Sequence, residues 1–515
     1  MLYAFDHPHE GSHVEVTARL GGKGASLWAM VHKLHLPVPP GFTLSTDECQ
    51  RFLEEGLSDS LKDAIRFAVS DIGCNVGRQF GDPANPLLVS VRSGAPASMP
   101  GMMDTVLNVG LTAKTAKGLA RLTGDNAFAQ DSYRRFLRAY AEVVLDLELP
   151  HAGSDATTEC GQDIATLRNQ ISARIGAEAI DDPWQLLFTT VEAVFRSWNS
   201  PRAKHYRERE GISHDLGTAV NIQAMVFGNL DEQSGTGVVF TRDPSTGEAV
   251  PRGDFLAHAQ GDDVVAGTHR TQPLAALEQE MPRVYEDLTR SMCVLEAYYR
   301  DLCDIEFTVE RGRLWVLQAR AGKRSPAAAA RIAVELAQDK RFGLSRADVL
   351  ARIPEDLLNG SHSTQQASSA GTPIAKGVAA SPGVTTGRIV FDPERAVEWS
   401  ERGEDVILVR RETSPEDVHG MGASRGILTT LGGLMSHAAV VARSWGIPAV
   451  VGVEGVQLGG DSMTIGPTVL REGDLISIDG ERGHVYLGAI DREAKPDPYL
   501  EILRSWQSAA DLSTS

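Results

Sequence analysis

The chain has 515 residues, 42% hydrophobic and 23% charged, an ordinary globular composition with length for about three domains. Its 50 Lys and Arg against 68 Asp and Glu give a formal net charge of −18, which argues against nucleic acid or a membrane surface as partner, since both call for a basic face. No apolar run approaches the ~20 residues of a membrane span and no secretory signal is visible. The five cysteines are scattered without a disulfide or zinc pattern, so a reducing, cytoplasmic location is expected.

In chain order, the first informative segment is Gly21-Gly-Lys-Gly-Ala-Ser-Leu, ahead of a helical stretch from Leu27 to Leu34. A lysine between glycines can sit over nucleotide phosphates while the backbone closes in. The glycine spacing is too short for a Walker A loop, and a solvated loop lysine has the same local sequence. Leu87 to Gly94 is a buried-type strand ending in Arg92, a position that serves a phosphate contact or a structural ion pair. Ala97 to Thr105 is rich in Gly, Pro and Met and reads as an ordered loop over a site. Residues 112–200 read as mostly helical, with apolar residues at 3–4 spacing over Phe128 to Leu147 and Pro183 to Trp198. That pattern fits a helical insertion between two parts of a nucleotide-binding fold.

Asp304 to Val309, Glu310-Arg-Gly-Arg and Leu314 to Arg320 read as strand, turn and strand, a β-hairpin. Residues i and i+2 of a strand share a face. Asp304 and Glu306 therefore point one way on the first strand, and Gln318 and Arg320 share a face on the second. Two carboxylates on one face suit Mg²⁺, which prefers one or two carboxylates plus phosphate oxygens, and an arginine suits a phosphate. An ion-paired sheet face has the same pattern.

Gly360 to Gly371 (GSHSTQQASSAG) has linker composition, so residues 356–378 are expected to be a flexible connection between a domain over 1–355 and a smaller one over 379–490. The smaller segment carries short β-branched runs at Gly387, Val406, Gly426, Ala449, Leu475 and His484 with one helical stretch between them, a small α/β domain. Residues 491–515 are expected to be a linker followed by a helix, with Leu500, Ile502, Leu503 and Trp506 at helical spacing.

Within the smaller segment, Gly432 to Gly452 reads GGLMSHAAVVARSWGIPAVVG. A strand runs into two glycines, then Ser436 and His437, then a helix-forming stretch from Ala438 to Trp445. This puts His437 at or just before a helix N-terminus, where unpaired N–H groups and the dipole stabilise phosphate. Imidazole is a competent nucleophile near neutral pH. A turn with a half-exposed polar residue has the same spacing.

The histidine segment resembles the phosphohistidine signature shared by pyruvate phosphate dikinase and phosphoenolpyruvate synthase, GG-x-TSHAA-x-x-AR-x-x-G-x-P, and Thr413-Ser-Pro-Glu-Asp resembles the dikinase branch. The earlier part resembles the ATP-grasp domain of pyruvate phosphate dikinase over Gly21 to Leu27, Leu88 to Thr105, Arg196 to Ala203, Gly217 to Asn221, Phe240 to Glu248, Gln260 to Gly267 and Asp304 to Arg324. The resemblance implies an α/β and α+β multidomain chain: an ATP-grasp domain with a helical insertion, then a small α/β phosphohistidine swivel domain. It implies that His437 carries the phosphoryl group, that Lys23 and Arg92 bind ATP phosphates, and that Asp304 and Glu306 sit at the Mg²⁺ and phosphate site. By the same resemblance Gln318 and Arg320 hold the phosphates being cleaved, and Asp262 and Asp263 match the acidic pair of the nucleotide domain.

There are departures. Met435 replaces the usual Thr before the Ser-His pair, Leu431 a usual Arg, Asp254 a usual Glu and His258 a usual Asn. In the family a (β/α)₈ barrel of ~250 residues that binds phosphoenolpyruvate and pyruvate follows the swivel domain, and residues 491–515 are expected to be too few to form one. The expected activity is therefore a dikinase-like phosphotransferase. ATP and inorganic phosphate would phosphorylate His437, releasing AMP and pyrophosphate, and the acceptor would be bound by a separate barrel protein. The alternatives are a stand-alone phosphohistidine kinase of another small molecule, of the glutamine kinase or rifampicin phosphotransferase type, and a non-catalytic regulatory paralogue. A homodimer is compatible with the family.

Overall fold

The computed structural model describes residues 1–515 except 98, 100–102, 150–159, 266–270, 360–363, 370, 435, 496 and 514–515. Part of the Gly/Pro/Met-rich loop, part of the linker run and Met435 therefore lie outside the described residues. The chain divides into two compact units, Met1–Leu230 with Trp315–Gln318, and Asp231–Leu314 with Ala319–Ser515. Among the described residues, no helix is long and apolar enough to cross a membrane.

The first unit is built on an antiparallel five-stranded sheet. Its strands are β1 (Leu2–Ala4), β2 (Gly41–Leu44), β3 (Val89–Gly94), β4 (Thr105–Val109) and β5 (Ala219–Ala224), in the order β1-β2-β5-β3-β4. The long connection from β4 to β5 carries the helices expected over 112–200, among them Asn126–Ala139 and Pro183–Ser197, the latter capped by Asp182 with Pro at its first position. The apolar faces of these helices (Phe136, Tyr140, Val191, Phe195) join Val89, Val91, Val106 and Ile222 of the sheet in one core.

One expectation changes in detail. The helix expected from Leu27 begins much earlier, as α1 (His13–Trp28), with Ser12 and Glu15 forming a capping box. It is interrupted at Gly21, whose φ of 68° and ψ of 169° belong to a region essentially restricted to glycine. The glycine-flanked lysine thus sits at a break inside a longer helical run.

The second unit contains two large sheets, beside a two-stranded and a three-stranded one. The first has β6 (Gly235–Phe240), β7 (Arg252–Ala257), β8 (Gln272–Pro273), β9 (Cys303–Glu310) and β10 (Arg313–Ala321), in the order β8-β7-β6-β9-β10. β9 and β10 are the two strands of the expected hairpin, and both turn residues, Arg311 and Gly312, have positive φ, as a tight hairpin turn requires. Helix α2 (Pro326–Gln338) follows, capped by Ser325.

The other sheet has eight strands: β11 (Ala375–Lys376), β12 (Val378–Ser381), β13 (Val384–Val390), β14 (Val406–Arg410), β15 (Gly426–Thr429), β16 (Ala449–Val451), β17 (Leu475–Asp479) and β18 (His484–Leu487). Their order is β11-β18-β17-β13-β14-β15-β16-β12, with β13 to β16 parallel. Ile389, Ile407, Val409 and Leu428 pack on one side, Val390, Val406, Leu408 and Ile427 on the other. This period-2 division explains the continuous apolar runs: both faces are covered. The single helical stretch expected here is in fact three helices, Pro393–Glu401, Val418–Ala423 and α3 (His437–Trp445). The first two are short and carry few apolar residues, so they leave little periodic signal.

The segment with linker composition also differs. Thr364–Ser369 is a strand paired antiparallel with Asp491–Lys495, so the chain entering the eight-stranded domain is zipped to the chain leaving it. The last helix, α4 (Pro498–Ser513), is not a free linker. Leu500 and Leu503 are buried in a core shared with Ile332 and Leu336 of α2, and the Arg504 guanidinium donates to the Leu358 carbonyl.

Candidate functional site

In the first unit, the break at Gly21 brings α1 against β3. A Cβ on Gly21 would collide with the Gly94 carbonyl, and Lys23 Cβ lies 3.3 Å from where a Cβ on Gly94 would be. Arg92, two residues earlier on β3, donates to the Leu317 carbonyl and to Gln318 Oε1, both at 3.4 Å. Asn221 on β5 accepts from Thr43 Oγ1 at 2.8 Å and donates to the Arg92 carbonyl. Arg92 and Gln318 are thus in side-chain contact, and the start of the Lys23 side chain lies against Gly94, two residues along β3 from Arg92. Asn221, whose only sequence signal was its place in a matching segment, braces the Arg92 backbone.

In the second unit, Asp304 is 5% exposed and its Oδ2 accepts from Arg320 Nε at 2.9 Å and Nη2 at 2.8 Å. The two strands of the hairpin therefore do face a carboxylate toward a guanidinium. Burial pushes the Asp304 carboxyl up, Arg320 pulls it down and Glu306 pushes it up again. Its Oδ1 is buried with no hydrogen-bond partner among the described residues. An orphaned carboxylate oxygen, with a second carboxylate two residues along the same strand, is a donor set that fits a hard divalent cation. Asp263 is placed otherwise: its Oδ2 accepts the Gln260 N–H at 2.9 Å and closes the turn into the helix Gly261–Val265. The Asp262 side chain lies outside the described residues.

His437 is the first residue of α3. Ser436 caps the helix, accepting from Ala439 N–H and donating to the Gly433 carbonyl at 2.9 Å. Ala438, Ala439 and Ala442 face the core, which leaves the ring partly buried at the helix end. Thr413 Oγ1 lies 3.1 Å from His437 Nδ1. The loop holding Thr413 is folded by Asp417, which accepts from Ser414 N–H at 2.9 Å and from Arg410. Burial holds the His437 imidazole below the ordinary histidine range, while Asp417 and Glu416 pull the other way. Burial therefore favours the neutral form of a ring whose Nδ1 lies beside the Thr413 hydroxyl. Sequence reasoning used Thr413 only to mark a branch of the family; its contact with the ring joins residues 24 positions apart.

The histidine loop is also tied to the first sheet of its unit. Gly432 has φ 105°, and a Cβ on Gly433 would lie 2.5 Å from Asp254 Oδ2. The Asp254 carboxylate accepts the Leu434 N–H at 3.1 Å and the Thr271 hydroxyl at 3.1 Å. The Leu434 carbonyl accepts from Arg443 Nη2 at 2.5 Å, and Arg443 Nη1 donates to the Ala380 carbonyl at 2.9 Å. Arg443 is fully buried over the Phe240 ring, and burial pushes it down to about 10 against the field of Asp304, Asp243 and Asp254. Leu434, three residues before His437, is thus held at both its N–H and its carbonyl. The departure at Asp254 concerns this clamp. The one at His258 concerns the backbone, since His258 has φ 56°, a left-handed conformation in which Asn and His are both enriched.

Residues 17–75 and 56–285 match the family described as pyruvate phosphate dikinase, AMP/ATP-binding domain, and residues 402–483 match the PEP-utilising enzyme, mobile domain. Pyruvate, phosphate dikinase of Rhizobium meliloti is 44% identical over 95% of this chain and 58% of its own length. The chain belongs to the pyruvate, phosphate dikinase family. Pyruvate, phosphate dikinase 2 of Zea mays is 45% identical over 91% of the chain and 55% of its own length. The dikinase of Clostridium symbiosum is 42% identical over 95% and 58%. The chain therefore spans somewhat over half the length of these dikinase relatives. The two dikinase-family matches fall on the mixed helix-and-sheet architecture described above, with the mobile-domain match inside the eight-stranded domain.

Proposed function

We propose that this chain carries the nucleotide half of a dikinase reaction. His437 Nε2 bonds to the β-phosphorus of ATP, the α–β bridge breaks and AMP leaves. Inorganic phosphate then takes the γ-phosphoryl as pyrophosphate, and the β-phosphoryl stays on the ring. The observation that carries this reading is the half-buried imidazole at the start of α3, its Nδ1 3.1 Å from Thr413 Oγ1. The family membership supports the nucleotide as donor.

Such chemistry is mostly positioning and charge neutralisation. Lys23 and Arg92 are proposed to bind ATP phosphates, Gln318 and Arg320 to hold the phosphates being cleaved, and Asp262 and Asp263 to serve as the acidic pair of the nucleotide domain. Mg²⁺, held by Asp304 and Glu306, would supply positive charge to the phosphate oxygens. The acceptor is proposed to bind on a barrel outside these 515 residues, with the histidine domain moving about the paired segments Thr364–Ser369 and Asp491–Lys495. The relatives' name points to pyruvate as that acceptor.

Incubation with β-labelled ATP, phosphate and Mg²⁺ tests the half reaction. Acid-labile label on the wild type and none on His437→Ala is expected. Equal label on both proteins rejects it. Adding a pyruvate-type barrel protein and pyruvate tests the second half through loss of that label.

A further inference from the structure

Arg443 on α3 is fully buried, with its Nη1 and Nη2 donating to the neutral carbonyls of Ala380 and Leu434. Its Nε is buried with no hydrogen-bond partner among the described residues. A guanidinium taken out of water and met by neutral acceptors depends on carboxylates further off for its charge. Those carboxylates belong to the other large sheet of the unit. The guanidinium carbon lies 5.3 Å from the centre of the Phe240 ring. Phe240 on β6 is directly opposite Asp304 on β9, and opposite residues of an antiparallel pair share a face. Val238, on the same face two residues earlier, is opposite both Glu306 and Asp254. The sheet face that meets Arg443 thus carries Asp254, Asp304 and Glu306. The fields of Asp304, Asp243 and Asp254 all favour the Arg443 charge.

We propose that Arg443 makes docking of the histidine domain on this sheet depend on the charge at Asp304 and Glu306: a divalent cation bound there without nucleotide loosens the docked domain. This rests on the proposal that the pair is the metal site. A cation held by Asp304, whose Oδ1 is orphaned, cancels the negative charge on which a guanidinium shut off from water relies. Phosphates bound with the cation return negative charge, so the docked state recovers once nucleotide is loaded. Linkage makes the effect mutual, and the docked domain in turn weakens binding of the bare cation. The carrier is thereby kept off a site that holds metal and no phosphoryl donor.

Hydrogen exchange of the Leu434 amide, whose acceptor is Asp254, reports docking in the full chain. Mg²⁺ is expected to speed that exchange at least fivefold over NaCl of equal ionic strength, and α,β-methylene-ATP, whose α–β bridge is not cut, to reverse the effect. Asp304→Asn and Arg443→Met are each expected to abolish the Mg²⁺ response. Arg443→Met also loses two hydrogen bonds, so the Asp304→Asn comparison is made independently of it. A parallel titration with Mn²⁺, read from the free-ion electron paramagnetic resonance signal, is expected to show binding that Asp304→Asn removes. Absence of that binding overturns the metal site and this inference with it. Mn²⁺ bound at Asp304 while Mg²⁺ leaves Leu434 exchange unchanged overturns this inference and leaves the metal site standing. The same follows from an Mg²⁺ response that survives either substitution or that the nucleotide analogue does not reverse.

Discussion

Thr413 Oγ1 and His437 Nδ1 are 3.1 Å apart, a contact that restrains the ring. Thr413→Val removes that hydrogen bond while keeping the side chain's shape. A neutral hydrogen bond is worth roughly 1 kcal/mol, and 1.4 kcal/mol is a factor of ten in rate. The initial rate of His437 labelling is expected to fall about fivefold, with Thr413→Ser close to wild type. Unchanged labelling by the valine variant would show that the ring is oriented by other contacts.

The pH dependence has a definite sign. Burial lowers the His437 imidazole from the ordinary value of 6.5, so the ring stays neutral to lower pH than a free histidine. Labelling rate is expected to stay level as pH falls through 6.5 and to drop only below it. Glu416 pulls the ring's proton affinity up, so Glu416→Gln should move the midpoint lower still. A midpoint above 6.5, measured in single-turnover labelling, contradicts this. The same lowering makes the folded state lose stability as pH falls below 6.5, because the unfolded chain takes the proton more readily.

Asp254 accepts the N–H of Leu434, two residues ahead of the helix cap Ser436. Asp254→Ala leaves that N–H without its charged acceptor, an interaction worth about 1.5–3 kcal/mol. Labelling of His437 is expected to fall about tenfold or more while equilibrium nucleotide binding changes little. Asp254→Asn keeps an accepting oxygen and should recover much of the rate. Parallel loss of nucleotide affinity in the alanine variant would place Asp254 at the nucleotide instead.

Gly21 tests the first unit. Its backbone conformation and the Gly94 carbonyl beside it leave no room for a methyl group. Gly21→Ala is expected to cost about 2–4 kcal/mol of folding stability, read as a lowered urea midpoint. Gly124→Ala, at a helix end with nothing within 4 Å, should cost far less, since only backbone strain remains.

The last helix offers a packing test. Leu503 is fully buried against α2, so Leu503→Ala should destabilise the second unit by about 2–5 kcal/mol. Exposed Glu501→Ala on the same helix should leave the melting temperature nearly unchanged. Equal effects of the two would mean that the helix does not contribute to the core.

The hairpin of β9 and β10 was legible from sequence because its information is local: alternation at i and i+2, and a glycine in the turn. The same holds for α3, where Ser436 and the alanine face announce both cap and buried side. The breaks in legibility are long-range. Asp254 meets Leu434 across 180 positions of sequence, and neither residue carries a local sign of the other. The Ser/Thr/Gln-rich run read as a linker because it lacks apolar periodicity, yet its backbone found a partner strand from the far end of the domain. The last helix displayed its apolar stripe clearly; what the stripe covers depended on α2, which the spacing does not specify.

The pairing of Thr364–Ser369 with Asp491–Lys495 has a consequence for modularity. Because the two crossings lie side by side, the chain between them is covalently joined to the rest through one stem, and its other ties, the Asp254–Leu434 hydrogen bond among them, are non-covalent. Such a module can be excised and its stem closed with a short turn, or grafted onto another host, without pulling distant chain ends together.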